Sequence, residues 1–130
     1  ADLRGADLSS AQLTKAEFHR VDFTNARLTG SRLEWAELGR ATLVGANLSG
    51  ANLQNAYLAR ADLSNALLNG ANLRDADLYL ADLQGADLSL ANGLTKDQLG
   101  KTCGDAKTKL PAGVIPPASW PCTNRQRQAP

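Results

Sequence analysis

The sequence is poor in the side chains that most often carry out chemistry. Its 130 residues include no methionine, one histidine, two cysteines and 5% aromatic residues, and the formal net charge is only +1. A charge so close to zero argues against wholesale electrostatic binding to nucleic acid, and equally against a strongly acidic surface that imitates DNA. No apolar run approaches the ~18 residues of a transmembrane helix, so we expect no membrane span.

The few reactive residues form no recognisable catalytic or metal-binding set. His19, the sole histidine, has no nucleophile motif beside it, so we expect a solvated side chain rather than a catalytic base. Four aspartates recur at multiples of twenty residues, and we interpret them as local caps and solvated charge rather than calcium ligands. They are Asp2, Asp22, Asp62 and Asp82. We therefore predict that the protein is not an enzyme and holds no metal and no cofactor.

What the sequence has in abundance is one five-residue repeat: Ala, then Asp or Asn, then Leu, then two variable residues. It occurs eighteen times from Ala1 to Leu90 without an insertion. Side chains two residues apart share a face only in extended backbone, so we expect the Ala and Leu columns to point inward and the last two residues to turn. A chain that turns every five residues in the same sense winds into an all-β solenoid.

The predicted core of this solenoid is the third residue of every repeat, because that column is Leu in sixteen repeats and Phe in two. Its members are Leu3, Leu8, Leu13, Phe18, Phe23, Leu28, Leu33, Leu38, Leu43, Leu48, Leu53, Leu58, Leu63, Leu68, Leu73, Leu78, Leu83 and Leu88.

The residues that close the repeats indicate how many repeats make one coil. Read at every fourth repeat, one closing column alternates Gly and Asn, and another carries Arg three times in succession. The two columns are Gly5, Asn25, Gly45, Asn65 and Gly85, and Arg20, Arg40, Arg60 and Leu80. Gly and Asn tolerate positive φ, so their segregation predicts a 20-residue coil with four sides. Residues 1–90 then form about 4.5 coils, roughly 22 Å tall at the spacing of neighbouring strands.

The repeat resembles that of the pentapeptide-repeat proteins, and the resemblance covers residues 1–90. It implies a right-handed quadrilateral β-helix, in agreement with the four-sided coil. Members of that family include DNA-mimicking gyrase protectors and many proteins of unsettled role. We favour a non-enzymatic structural or protein-interaction module with an unknown protein partner. The alternative is a DNA-mimicking protein that binds and protects a topoisomerase such as gyrase.

Beyond residue 90 the repeat stops, and we divide the chain into a solenoid, 1–90, and a C-terminal cap with an irregular Pro-containing tail, 91–130. Thr95 and Gln98 stand at capping-box spacing and predict a short helix over 96–102. We expect the tail to cover apolar side chains at outward positions of the last coil, with Trp120 as an anchor and the chain from Thr123 onward disordered. The outward apolar residues are Tyr79, Leu80 and Leu90.

Cys103 and Cys122 are the only cysteines, and both lie in this tail. A disulfide between them closes a loop that stabilises the cap by about 3 kcal/mol in the chain-entropy model. The alternative is two unpaired thiols in a cytoplasmic protein. The disulfide favours the periplasm or another oxidising compartment. The first residue already lies in register inside a repeat, which favours a mature form or a fragment of a longer chain.

One surface feature stands out in the four-sided register. Arg20, Arg40 and Arg60 stack on a single corner about 5 Å apart, where like charges repel unless something offsets them. Tyr57 faces outward on the adjoining wall, and Trp35 lies on another corner as either a contact site or a simple exposed aromatic. These five residues form the candidate interaction surface.

The sequence allows two interpretations of the arginine corner. Carboxylates nearby in the register can pair with the arginines and make a charge-balanced edge; they are Glu17, Glu37, Asp22 and Asp62. Alternatively, the corner binds an anion or a protein partner together with Tyr57. We expect no specific nucleic acid ligand, and a monomer with weak self-association through the N-terminal coil.

Overall fold

The computed structural model describes residues 1–122, and its backbone repeats one local conformation every five residues. The second residue of each repeat makes isolated parallel β-bridges, and the last two residues form a turn. The bridges join residues twenty apart, from Asp2 with Asp22 to Asn72 with Asn92. Four repeats therefore separate stacked neighbours. We name the four walls A, B, C and D by their first repeats, 1–5, 6–10, 11–15 and 16–20; each wall continues every twenty residues.

The Leu and Ala columns fill the interior. The third residues from Phe23 to Leu88 are buried, as are the Ala side chains beside them. Full burial of one such large side chain contributes about 1.5–3 kcal/mol. The first four core residues are only half-buried, because the first coil is covered solely by the coil that follows; they are Leu3, Leu8, Leu13 and Phe18. Ser31 replaces Ala without an unsatisfied hydroxyl, since its Oγ donates to Leu28 O at 2.7 Å.

The Asp or Asn at the second position organises each turn. Asp22 Oδ1 accepts the Thr24 N–H at 3.0 Å, and Asp62 Oδ1 accepts that of Ser64 at the same distance. Asp2 and Asp82 do the same within their own repeats, so the prediction that these four aspartates are local caps is confirmed, whereas the expected solvation is wrong at Asp82, which is buried. The pKa of Asp22 is lowered because the Thr24 hydroxyl and N–H both donate to its carboxylate.

After Asn92 the chain continues the stack in an irregular way. Cys103 bridges to Asp82 on wall A and Lys109 bridges to Asp87 on wall B, so the spacing rises to 21 and then 22 residues. On wall D the short helix α1, Lys96–Leu99, takes the place of a strand. It begins with the predicted capping box of Thr95 and Gln98 but ends earlier than predicted. The reason is that Lys101 O accepts the Leu80 N–H, which returns the chain to extended pairing.

The cap is joined to the coils by side chains. Gln98 Nε2 donates to Ala76 O at 3.0 Å, on the edge that α1 leaves without a β-bridge, and to Leu73 O at 2.7 Å in the turn before it. Trp120 serves as the predicted anchor, because its Nε1 donates to Thr102 O at 3.0 Å and its ring packs on Gly104.

The cap covers the end of the core more than the outer faces. Tyr79 and Leu90 remain 47% and 67% exposed, so the expectation that the tail covers them is wrong, while Leu80 is half-buried. The physical reason is that Cys103 and Lys109 extend the coil itself instead of crossing its outer surface. The expected disorder from Thr123 onward lies outside the described residues. No helical structure in residues 1–122 has the length and apolarity that a bilayer crossing requires.

Candidate functional site on wall D

Exposed aromatic side chains gather on and beside wall D, which comprises residues 16–20, 36–40, 56–60 and 76–80. Tyr57 and Tyr79 lie on the wall, 43% and 47% exposed. Trp35 is 57% exposed at the corner where wall C ends and wall D begins, and His19 is exposed on wall D itself. Aromatic and Arg side chains are enriched in protein interfaces and in their energetic hot spots. Wall D therefore has the composition of a contact surface.

A groove of about 270 Å³ lies between Tyr57 and the arginine corner. The ring centroids of His19 and Tyr57 are 6.2 Å apart with the rings inclined at 69°, and His19 Nε2 lies 3.5 Å from Glu37 Oε2. Gly39 leaves the space that the Tyr57 ring occupies, because a Cβ there would lie 2.7 Å from Tyr57 Cε2. Ala59 completes the floor. Small residues thus hold one aromatic ring in a defined place.

A second groove, of about 320 Å³, continues along wall D between its last repeat and α1. Tyr79 and Asp77 line one side, and Gln98 and Lys101 line the other. The Arg60 guanidinium carbon lies 5.8 Å from the centroid of the Tyr79 ring, within reach of a cation–π interaction. The candidate surface therefore extends from the first coil to the cap.

The two corners that bound wall D carry large side chains in a left-handed backbone conformation. Arg20, Arg40 and Arg60 have φ of 59°, 57° and 62° on one corner, which ends in Leu80 at 56°. Lys15 and Trp35 have φ of 63° and 61° on the other corner, which continues with Asn55 and Asp75. This conformation costs an L-residue roughly 1–2 kcal/mol, whereas Gly, Asn and Asp adopt it more readily. The corner between walls A and B has only such residues: Gly5, Asn25, Gly45, Asn65 and Gly85. Strain is thus concentrated around wall D.

The arginine corner is not balanced by the expected carboxylates. Within residues 1–122, neither Arg20 nor Arg40 has an Asp or Glu oxygen within 4.0 Å. Glu37 faces His19 instead, and Asp22 is engaged by Thr24 in its turn. The interpretation as a charge-balanced edge is therefore wrong at Arg20 and Arg40.

Wall A shows how a paired arginine of this chain behaves. Arg4 Nη2 lies 2.7 Å from Asp2 Oδ2, and the hydrogen bond from the Arg4 side chain is the largest cause that lowers the pKa of Asp2 to about 2. No such partner neutralises Arg20 or Arg40 within the described part of the chain, so their charge is offered to solvent or to a ligand.

The groove brings together four of the five residues predicted for the interaction surface: Arg20, Arg40, Arg60 and Tyr57. Trp35 lies across the wall, on the opposite corner. Sequence reasoning missed the contributions of His19, Gly39 and Tyr79. The sequence contains a signal for these contributions, because the fourth position, read at every fourth repeat, places four residues in one column of wall D. They are His19, Gly39, Ala59 and Tyr79. Among residues 1–122 no group of His, Cys, Asp and Glu could hold a metal ion.

The bridges and the inward Leu column define a β-helix built from five-residue units, and comparisons with known proteins identify its family. The family profile described as a pentapeptide repeat region matches residues 16–92, and that of pentapeptide repeats in eight copies matches residues 1–30. The chain belongs to the pentapeptide repeat family. Its solved relatives imply a right-handed quadrilateral β-helix, as expected from the sequence.

Solved structures of this family resemble the chain over most of its length. Rfr23, from the cyanobacterium Cyanothece 51142, is 36% identical over 73% of this chain and 64% of its own, with a TM-score of 0.64. A protein from the thylakoid lumen of Arabidopsis thaliana is 31% identical over 75% of this chain and 70% of its own, with a TM-score of 0.58.

HetL, involved in heterocyst differentiation regulation in Nostoc sp. strain PCC 7120, is 40% identical over 81% of this chain and 51% of its own, with a TM-score of 0.48. The chain thus spans less than two thirds of the length of Rfr23 and of HetL. Curated protein sequences give no match.

Proposed function

We propose that this chain is a non-enzymatic interaction module that binds a protein partner on wall D. One observation carries the proposal: of the described residues in the left-handed region other than Gly, Asn and Asp, all except Ser10 lie on the two corners that bound this wall. Backbone strain of this kind persists where the surrounding structure over-determines it, and it clusters at functional sites. Folding stability alone favours Gly or Asn at these positions. We therefore infer that Arg and Trp are present there because they bind a partner.

The composition of the wall supports the same role. Tyr57 rests on Gly39 beside His19, so little freedom of its ring is left to be lost on binding. The exposed Trp35 and the arginines are residue types that dominate interface hot spots. The pentapeptide repeat fold is of a protein-interaction type.

The alternative, a DNA-mimicking topoisomerase protector, needs an acidic surface. The arginine corner stands beside the Asp-bearing wall A and opposes that role. The topoisomerase-protector role therefore stays a prediction. A gyrase supercoiling assay tests it, and protection of gyrase from a quinolone at stoichiometric protein would support it.

We also propose about 4.5 coils over residues 1–90, followed over residues 91–130 by a C-terminal cap and an irregular Pro-containing tail. The twenty-residue spacing of the bridges supports the coil count, and the hydrogen bonds of Gln98 support the capping role. We propose the periplasm or another oxidising compartment over a cytoplasmic location, because Cys103 and Cys122 lie at disulfide distance, with Cα atoms 5.3 Å apart. The thylakoid lumen source of one relative agrees with a location outside the cytosol. The monomeric state stays a prediction.

The experiment is site-specific photo-crosslinking in cells of the native organism. A photoreactive phenylalanine analogue replaces Tyr57 in one variant and Leu67 in another; both are second residues of their repeats, 43% and 41% exposed, but on walls D and B. We expect a discrete protein adduct from position 57 that is absent from position 67 and that disappears when Arg40→Asn is added. Equal capture at both positions, or none at position 57, would contradict the proposal.

A further inference from the structure

We infer that the segment recognised by wall D is an acidic stretch of protein whose carboxylates bind Arg20 and Arg40 and whose apolar side chain packs against Tyr57. This inference rests on the proposed interaction function and adds the chemistry of the partner. The three residues line one groove, with His19 and Gly39 between them.

The charge of the corner carries the first step. Arg20 and Arg40 are exposed and lie in the same column of neighbouring coils, about 4.8 Å apart along the stack. Neither has a carboxylate within 4.0 Å in residues 1–122. A partner carboxylate relieves their mutual repulsion and accepts charge-assisted, bidentate hydrogen bonds that planar guanidinium groups donate well.

The second-residue column of the wall decides between a protein segment and a nucleic acid. Glu17, Glu37 and Asp77 share this column with Tyr57. A continuous phosphate backbone in the groove would be repelled along that column, because it cannot place its charges on one side only. A peptide can present carboxylates to the corner and an apolar side chain to Tyr57. Charge complementarity therefore favours an acidic, partly apolar protein segment.

Fluorescence anisotropy at low salt tests this chemistry with defined probes. The first probe is a labelled ten-residue peptide that alternates glutamate and leucine, and the second replaces every glutamate by glutamine. A ten-nucleotide thymidine oligonucleotide and inorganic phosphate serve as competitors. We expect the glutamate peptide to bind at least tenfold more tightly than the glutamine peptide. Neither competitor should displace the glutamate peptide when it is added at the same total concentration of negative charge.

Two double variants assign the binding to the corner. Arg20→Gln with Arg40→Gln should weaken the glutamate peptide at least tenfold. Arg32→Gln with Arg74→Gln removes the same charge from wall C, where the arginines are exposed but not stacked, and should change binding less than twofold. Charge reversal, Arg20→Glu with Arg40→Glu, should transfer binding to a peptide that alternates lysine and leucine. A thermal melt of each variant verifies that it is folded.

The outcomes separate this inference from the function on which it rests. Equal losses in the two double variants, or displacement by the oligonucleotide or by phosphate, would overturn the acidic-peptide assignment. If Tyr57 still crosslinks a partner while the glutamate peptide fails to bind, wall D is an interface for a partner of other chemistry. If both fail, the interaction function falls as well.

Discussion

The Tyr57 ring lies over Gly39, at a distance that leaves no room for a side chain there. A Cβ at position 39 would approach Tyr57 Cε2 to 2.7 Å and His19 Nδ1 to 3.0 Å. The two residues belong to neighbouring coils of wall D, so a missing side chain in one coil fixes an aromatic ring of the next. Gly39 is therefore needed for the space that it leaves on the surface and not for its backbone conformation, since its φ lies outside the left-handed region.

Gly39→Ala is the substitution that tests this relationship. We expect the methyl group to displace the Tyr57 ring and to weaken partner crosslinking from a probe at Trp35, while the free energy of unfolding changes by less than about 1 kcal/mol, because the ring is on the surface. Ser49→Ala, at the same position of a repeat on wall B, is a control that leaves wall D unchanged. Unchanged crosslinking with Gly39→Ala would show that the position of Tyr57 is irrelevant to binding.

The inward and outward sides of a repeat should respond very differently to charge. Leu53 is fully buried at the axis, so Leu53→Asp places an unpaired carboxylate in the core and should cost several kcal/mol or unfold the solenoid. Gln54→Asp, one residue later, should be nearly silent. Urea denaturation of both variants measures the difference, and similar midpoints would contradict the assignment of the core.

Reduction of the Cys103–Cys122 bond should loosen the cap before the coils melt. The closed loop stabilises by about 3 kcal/mol in the chain-entropy model, whereas the coils keep their own Leu core. Trp120 emission, measured in a Trp35→Phe background, should shift to the red on reduction while far-UV circular dichroism is retained. If protein purified without reductant has two titratable thiols, the disulfide is absent and the argument for an oxidising compartment is lost.

Acid should also loosen the cap, through Asp105. Burial alone raises the pKa of Asp105, but hydrogen bonds from Gly85 N, Lys107 N and Thr108 outweigh burial, so its pKa is lowered. The stabilisation is therefore complete above the unfolded-state pKa, near 3.9, and is lost as the pH falls through the lower folded-state pKa. Trp120 fluorescence followed from pH 6 to pH 2 measures the transition. Asp105→Asn should abolish this acid-induced change in fluorescence. If the variant shows the same change over the same pH range, the change arises from another group.

The repeat itself made much of the fold predictable. Ala and Leu columns specify the inward face, second-position Asp residues cap their turns, and Gly and Asn at closing positions indicate four sides. The candidate surface was predicted in part, because Arg20, Arg40, Arg60 and Tyr57 follow directly from that register.

Other features depend on side-chain choices that no periodicity encodes. Glu37 has both His19 and Arg40 nearby in the register, and its approach to His19 emerges only in three dimensions. In the cap, Gln98 takes over the role of a missing β-bridge by donating to Ala76 O, and it also donates to Leu73 O in the preceding turn. The insertions that shift the bridges of Cys103 to 21 residues and of Lys109 to 22 lie where the repeat has already stopped.

The central claim is that arginine stands at the corner of wall D for binding and not for folding. The free energy of unfolding of Arg40→Asn tests it most directly, because Asn25, Asn55 and Asn65 occupy the equivalent turn position with φ of 59°, 61° and 59°. At low salt the account predicts that Arg40→Asn is more stable than the wild type by about 1 kcal/mol, from relief of strain and repulsion, and that the gain shrinks as salt rises. A loss of about 1 kcal/mol or more would contradict the account and make the arginine column a structural element.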